Sequence, residues 1–70
     1  MSDRDQVEMA FRHVREGEKL VERQKEIIAE LRTDRRPTRQ AEDLLATFEA
    51  TLAAQREDLR RLGEAGQFNT

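Results

Sequence analysis

Val7, Val14, Val21 and Ile28 stand seven residues apart, and Ala10, Gly17, Gln24 and Leu31 follow each of them by three. That spacing gathers all eight onto one stripe of an α-helix, the kind of seam by which one helix packs on another. A second run repeats the rhythm in alternating steps of four and three: Ala41, Leu45, Phe48, Leu52, Gln55, Leu59 and Leu62. Between the runs lies Pro37, which has no N–H to give a helix and biases Arg36 toward extended backbone. Two seams joined by so short a connection predict an all-α, antiparallel two-helix hairpin.

The first helix is expected over about residues 3–32, with Ser2 as N-cap and Asp3 and Asp5 where the helix dipole favours carboxylates. At a rise of about 1.5 Å per residue it would be roughly 45 Å long. On its outer face Glu8, Arg12 and Glu16 follow at four-residue spacing, which supports a helix through ion pairs. The second helix is expected over about 38–62, capped by Thr38, with Glu42 and Asp43 in its first turns. Gly63 reads as its C-terminal stop, reinforced by Gly66. Residues 1–63 then form the hairpin, and 64–70 a flexible tail whose Phe68 is free to dock on a neighbouring surface. Antiparallel packing stacks the seams in layers, Leu31 near Ala41, Ile28 near Leu45, Gln24 near Phe48, Val21 near Leu52, Gly17 near Gln55 and Val14 near Leu59.

The seam is wider than one neighbour needs. Leu20 and Ile27 each precede a seam residue, Leu44 does the same in the second helix, and Phe11 widens the stripe on its other side. A lone hairpin would leave that flank in water, together with one side of the Val and Leu seam. Seventy residues rarely bury enough apolar surface without help, and with no cysteine in the chain there is no disulfide to supply it. A homodimer closing into a four-helix bundle is therefore expected, with Val14, Gly17, Leu20, Val21, Gln24, Ile27, Ile28, Leu44, Phe48 and Leu52 as the candidate interface residues.

Most chemistries are refused. Nucleophilic catalysis needs a nucleophile beside a base, yet Ser2 is the sole serine and cysteine is absent. A di-metal carboxylate bundle needs Glu-x-x-His, and the residue three before His13 is Ala10. Gly17, Gly63 and Gly66 are isolated, which leaves no phosphate-cradling loop. No enzyme activity and no cofactor are expected. Apolar runs stop at three residues, so neither a membrane span nor a signal-peptide core is present in the sequence, and the expected location is the cytoplasm. Thirteen Lys and Arg against fifteen Asp and Glu nearly cancel, which predicts no whole-molecule attraction to nucleic acid or anionic lipid.

Four features keep two readings each. His13, at the seam's edge, is a boundary histidine bonded to a neighbour, or one of two copies that a dimer axis brings together as a metal or pH-sensitive contact. Gln24 and Gln55 are register-setting polar layers or, less simply, a ligand site. Gly17, which costs about 1 kcal/mol relative to alanine inside a helix, marks a close helix crossing or a kink. Arg32, Arg35, Arg36 and Arg39 cluster at the tip with only Asp34 among them. They are a solvated turn, Arg32 complementing the helix C-terminus, or a grip for phosphates.

The segment His13-Val14-Arg15-Glu16-Gly17-Glu18, with Leu44-Leu45-Ala46-Thr47-Phe48-Glu49 in the second helix, resembles a group of short alphaproteobacterial proteins. In these, an H-[IV]-x-x-G-E segment and an L-L-x-T-[FL]-E segment flank a polar turn. The resemblance spans Phe11 to Leu62 and implies a small bacterial helical hairpin without implying a reaction. Many of the group have a glycine in the turn, where this chain has Asp34-Arg35-Arg36-Pro37. Together these features point to a non-enzymatic interaction module that self-associates and meets an unknown protein partner. A nucleic-acid-binding hairpin dimer, using the arginine tip or a helix face, is the alternative.

Overall fold

The computed structural model describes residues 3–68, with side chains described from residue 4 to residue 64. The expected Ser2 cap and the docking of Phe68 lie outside the described residues and side chains. Two helices make up the fold, α1 (Asp3–Thr33) and α2 (Arg39–Phe68), packed along their lengths into a rod of 55 × 16 × 14 Å.

The heptad seams form the contact. Val14, Gly17, Val21, Gln24 and Ile28 of α1 and Leu52 of α2 are buried, and Leu45, Phe48 and Leu59 pack half-buried against them. Each buried Val, Leu or Ile contributes about 1.5–3 kcal/mol relative to exposure. The single hairpin thus buries the middle of the α1 seam, while Val7, Ala10 and Leu31 and every seam residue of α2 but Leu52 stay half-exposed, the incomplete cover expected of a lone hairpin. The burial is deepest around Gly17 and Leu52, where Gly17 lets the backbones approach. A Cβ on Gly17 would lie 2.6 Å from Gln55 Oε1 and 3.1 Å from Leu52 Cδ1. Gly17 is therefore a close approach, in the layer with Gln55 that the heptads predict.

The turn is built from backbone. Asp34 N–H donates to the Glu30 carbonyl (3.0 Å), Arg35 N–H to Arg32 (3.1 Å) and Arg36 N–H to Leu31 (2.8 Å). The last two bonds form a Schellman closure, which satisfies carbonyls that the helix end would leave open. It requires a left-handed residue at its centre, and Arg35 fills that place at φ 55°. Pro37 follows, and Glu42 N–H bonds the Thr38 carbonyl at 2.8 Å, placing Thr38 at the N-cap of α2 as expected.

The far end of α2 departs from the sequence reading. Gly63 does not stop the helix, which runs on to Phe68, so the expected boundary at 62 is corrected. Neither Gly17 nor Gly63 takes a positive φ, so Gly63 supplies no left-handed cap. Arg60 meanwhile pairs with Glu57 on one side and Glu64 on the other, a bracket that carries the helix across Gly63. On the outer face of α1, Glu8 pairs with Arg4 (3.9 Å), while Arg12 and Glu16 make no ion pair among the described residues.

Candidate interaction face

In an antiparallel pair, the positions flanking one side of each seam come together on one broad face of the hairpin, and those flanking the other side form the opposite face. One face collects Glu18, Lys25 and Arg32 of α1, each seven residues from the next, with Glu42, Glu49 and Arg56 of α2. Clefts on this face are lined by Glu18, Glu22, Lys25, Glu49 and Arg56, and nearer the tip by Lys25, Arg32 and Glu42. The Arg32 guanidinium donates to Glu42 at 2.8 Å, joining the two helices beside the turn. The pair is exposed, so it contributes at most about 1 kcal/mol.

The opposite face collects His13, Leu20 and Ile27 of α1, again seven apart, with Leu44, Thr51 and Asp58 of α2. Its three apolar residues, Leu20, Ile27 and Leu44, are only partly covered, and His13, Thr51 and Asp58 are exposed. Leu20 is 50% exposed and Leu44 44%, while Ile27 is half-buried. Toward the open end it sinks into a groove of about 430 Å³ between Met9, Ala10 and His13 on α1 and Asp58, Arg61 and Leu62 on α2. The groove is walled mainly by carbon because Ala10 is small and Met9 and Leu62 stand on either side of it. Phe11, 53% exposed, stands seven residues before Glu18 and so belongs to the charged face, beside Glu8, Arg12 and Arg15.

Of the ten candidate interface residues, Val14, Gly17, Val21, Gln24, Ile28 and Leu52 are buried within the hairpin itself and Phe48 is half-buried there. Leu20, Ile27 and Leu44 remain for an outside partner. Missing from that set were Met9, Ala10, Asp58, Arg61 and Leu62, which line the groove. Their signal was present: Met9 and Arg61 are two places from a seam residue on the same side as Leu20 and Leu44, a position that only becomes informative once both helices are paired.

The two seam glutamines differ. Gln24, 6% exposed, donates its amide to the Ala41 carbonyl at 2.9 Å, reaching past its expected neighbour Phe48 toward the tip. Gln55 presents a buried Oε1 with no hydrogen-bond partner, against Gly17. His13 is exposed and makes no hydrogen bond among the described residues. Of the tip arginines, Arg32 is engaged by Glu42, whereas Arg35, Arg36 and Arg39 are exposed and form no ion pair among the described residues.

A further charge cluster sits on α2, where Glu57 accepts from Arg60 and lies 3.6 Å from Arg61. The Arg60 hydrogen bond, aided by Arg61, holds the Glu57 carboxyl below its usual range, and Glu57 in turn raises Arg60. Among the described residues no three His, Cys, Asp or Glu side chains gather as a metal site would require, and no helix is long and apolar enough to cross a membrane. Comparison of the chain with protein-family models, with curated proteins and with solved structures gave no match.

Proposed function

We propose that this chain is a non-enzymatic interaction module, a helical hairpin that pairs with a second copy to form a four-helix bundle and offers its remaining surface to a protein partner. The resemblance of its helices to short alphaproteobacterial proteins supports reading it as bacterial, and apolar runs of no more than three residues support reading it as cytoplasmic. The observation that carries the reading is the row Leu20, Ile27 and Leu44, the first and last of them about half exposed, beside a seam whose α2 side is itself only partly buried. Full burial of such a side chain is worth about 1.5–3 kcal/mol, and the hairpin alone realises only about half of that for Leu20 and Leu44. A two-fold axis would bury the same row on both copies and close the assembly. Sedimentation over a dilution series tests it. Twice the 8.2 kDa chain mass is expected at high concentration, and an 8.2 kDa species at every concentration overturns the reading.

A second reading has its own observation, three arginines at the tip, Arg35, Arg36 and Arg39, with no ion pair among the described residues. If they grip phosphates, nucleic-acid affinity falls steeply with salt, and replacing Arg35 and Arg36 by glutamine weakens binding and flattens that dependence. Unchanged affinity in the double variant removes the tip from consideration.

A further inference from the structure

The face of Leu20, Ile27 and Leu44 is not uniform along its length. Its groove lies near the open end, at the level of Met9, His13 and Asp58, and its larger apolar side chains lie near the tip, where the heptad pairing sets Ile27 and Leu44 at one level. His13 and Asp58 share the groove. Leu20 and Thr51 follow them by seven residues toward the tip, and Ile27 and Leu44 by seven more. Leu20 is thus midway between hole and bulge, about 10 Å from each along the helix.

From this self-complementary shape we infer that the second copy docks on this face in reverse, with the two tips at opposite ends and the two-fold axis crossing at Leu20. The inference rests on the self-association proposed above and specifies its geometry. A half-turn about an axis at right angles to the helices carries Ile27 and Leu44 of one copy into the Met9–Leu62 groove of the other, and the reverse contact follows by symmetry. Leu20 meets its own counterpart. Thr51 and Ala54, small residues on the same face, let the two α2 helices approach. The same operation sets Glu16 of one copy over Arg23 of the other, opposite charges at both ends of the Leu20 contact.

The alternative axis, along the helices, keeps both tips together and does neither. It lays groove over groove, enclosing two apolar hollows that nothing fills, and an unfilled hollow forfeits the packing its walls would make. It also brings Arg35, Arg36 and Arg39 of both copies to one end. The reversed arrangement separates the tips by far more than the ~8 Å over which charges interact at physiological salt.

Because the chain contains no cysteine, one spin label can be placed at will. In the variant Arg36→Cys, labelled and measured by pulsed dipolar spectroscopy, reversed copies put the labels about 45 Å apart, from about 14 residues on each side of the axis at a rise of about 1.5 Å. Tips on the same end put them within about 25 Å, since neighbouring helices lie about 8–10 Å apart. A long distance in a sample of dimeric mass supports the inference. A short distance in such a sample overturns the reversed arrangement and leaves self-association standing, whereas a monomer at all concentrations overturns both. A second variant checks the face. Leu20→Lys is expected to shift the dimer–monomer midpoint at least 100-fold upward in concentration, and Lys25→Gln on the opposite face to leave it unmoved. Loss of helix in Leu20→Lys counts with dissociation, because a half-exposed side chain is no part of the hairpin's own core. A Leu20→Lys dimer as tight as the parent overturns the assignment of the face.

Discussion

The two glutamines of the seam hold the same heptad position in their helices, yet the half of the rod around Gln24 and the half around Gln55 are built differently. Near the tip, Gln24 is tied to the Ala41 carbonyl, Arg32 to Glu42, and the ends of both helices are closed by backbone bonds. Toward the open end, Gln55 leaves a buried oxygen unsatisfied, Gly17 replaces a side chain, and the face beside them opens into a groove. The difference lies in what the connection imposes. A short turn fixes the spacing and register of the layers next to it, so polar groups there find partners. Four to five turns away, the helices are held only by the seam, and a polar side chain in the seam is positioned by whatever packs around it.

Filling the Gly17 gap should have the largest effect. Gly17→Leu forces a large side chain against Leu52 and Gln55, where even a Cβ finds atoms at 2.6 and 3.1 Å, and overpacking of this kind costs about 1–3 kcal/mol. Thermal melting reads the loss, and a variant that melts at or above the parent would show that the helices do not approach closely there. Gly17→Ala is milder. Its nearest obstacle is the end of the flexible Gln55 amide, which can swing away, so part of the roughly 1 kcal/mol helix-propensity gain is retained.

The glutamines themselves sharpen the comparison. Replacing Gln55 by methionine removes an oxygen buried without a partner, whereas replacing Gln24 breaks a bond that is made. Gln55→Met is therefore expected to be the more stable of the two variants by about 1–2 kcal/mol. Urea unfolding of the pair decides it, and equal midpoints would mean that the Gln55 oxygen is satisfied in solution and that the two halves are alike.

The next effect is smaller and concerns how each helix ends. Arg35 carries a left-handed backbone that costs a residue with a Cβ about 1 kcal/mol, so Arg35→Gly should stabilise by up to that amount. Gly63 is helical with open space where a Cβ would stand, so Gly63→Ala should stabilise as well, by up to about 1 kcal/mol and less if the helix end frays. If Gly63→Ala instead destabilised, Gly63 would be acting as the stop the sequence suggests.

These positions also show what sequence could convey. The buried set Val14, Gly17, Val21, Gln24 and Ile28 follows directly from the seven-residue repeat, because helix geometry alone decides which side chains share a stripe. The helix ends do not follow so directly. A glycine permits the left-handed turn without requiring it, so Gly63 stays helical where Arg60 bridges it, and Arg35 takes that conformation because Pro37 halts the chain two residues later. The groove was hidden for another reason. It is formed by residues from both helices, and the places of Met9 and Arg61 beside their seams mark it only once the two helices are paired.

The smallest expected effect is a pH dependence confined to the open end. Glu57 is held below the usual carboxylate value of about 4.5, first by the hydrogen bond from Arg60 and then by Arg61. A carboxyl depressed in the folded state contributes stability that is fully present above its unfolded value and lost as pH falls through the folded one. Above about pH 4.5 the bracket across Gly63 should be intact, and as the pH falls below that it should weaken, as Glu57 takes up a proton, Arg61 loses its acceptor and Arg60 keeps only Glu64. Both groups are exposed, so the consequence is local fraying rather than unfolding. The Schellman bonds at the tip run between backbone groups with no proton to gain, so the turn should not respond. Carbon-13 chemical shifts of residues 57–64 and 30–36, followed together from pH 7 to pH 3, read the two ends in one experiment. Helicity lost in the first segment and kept in the second is the expected result, and Arg60→Ala should reproduce it at pH 7. A titration in which residues 57–64 stay as helical as the turn stays ordered would show that the helix crosses Gly63 without help from Arg60.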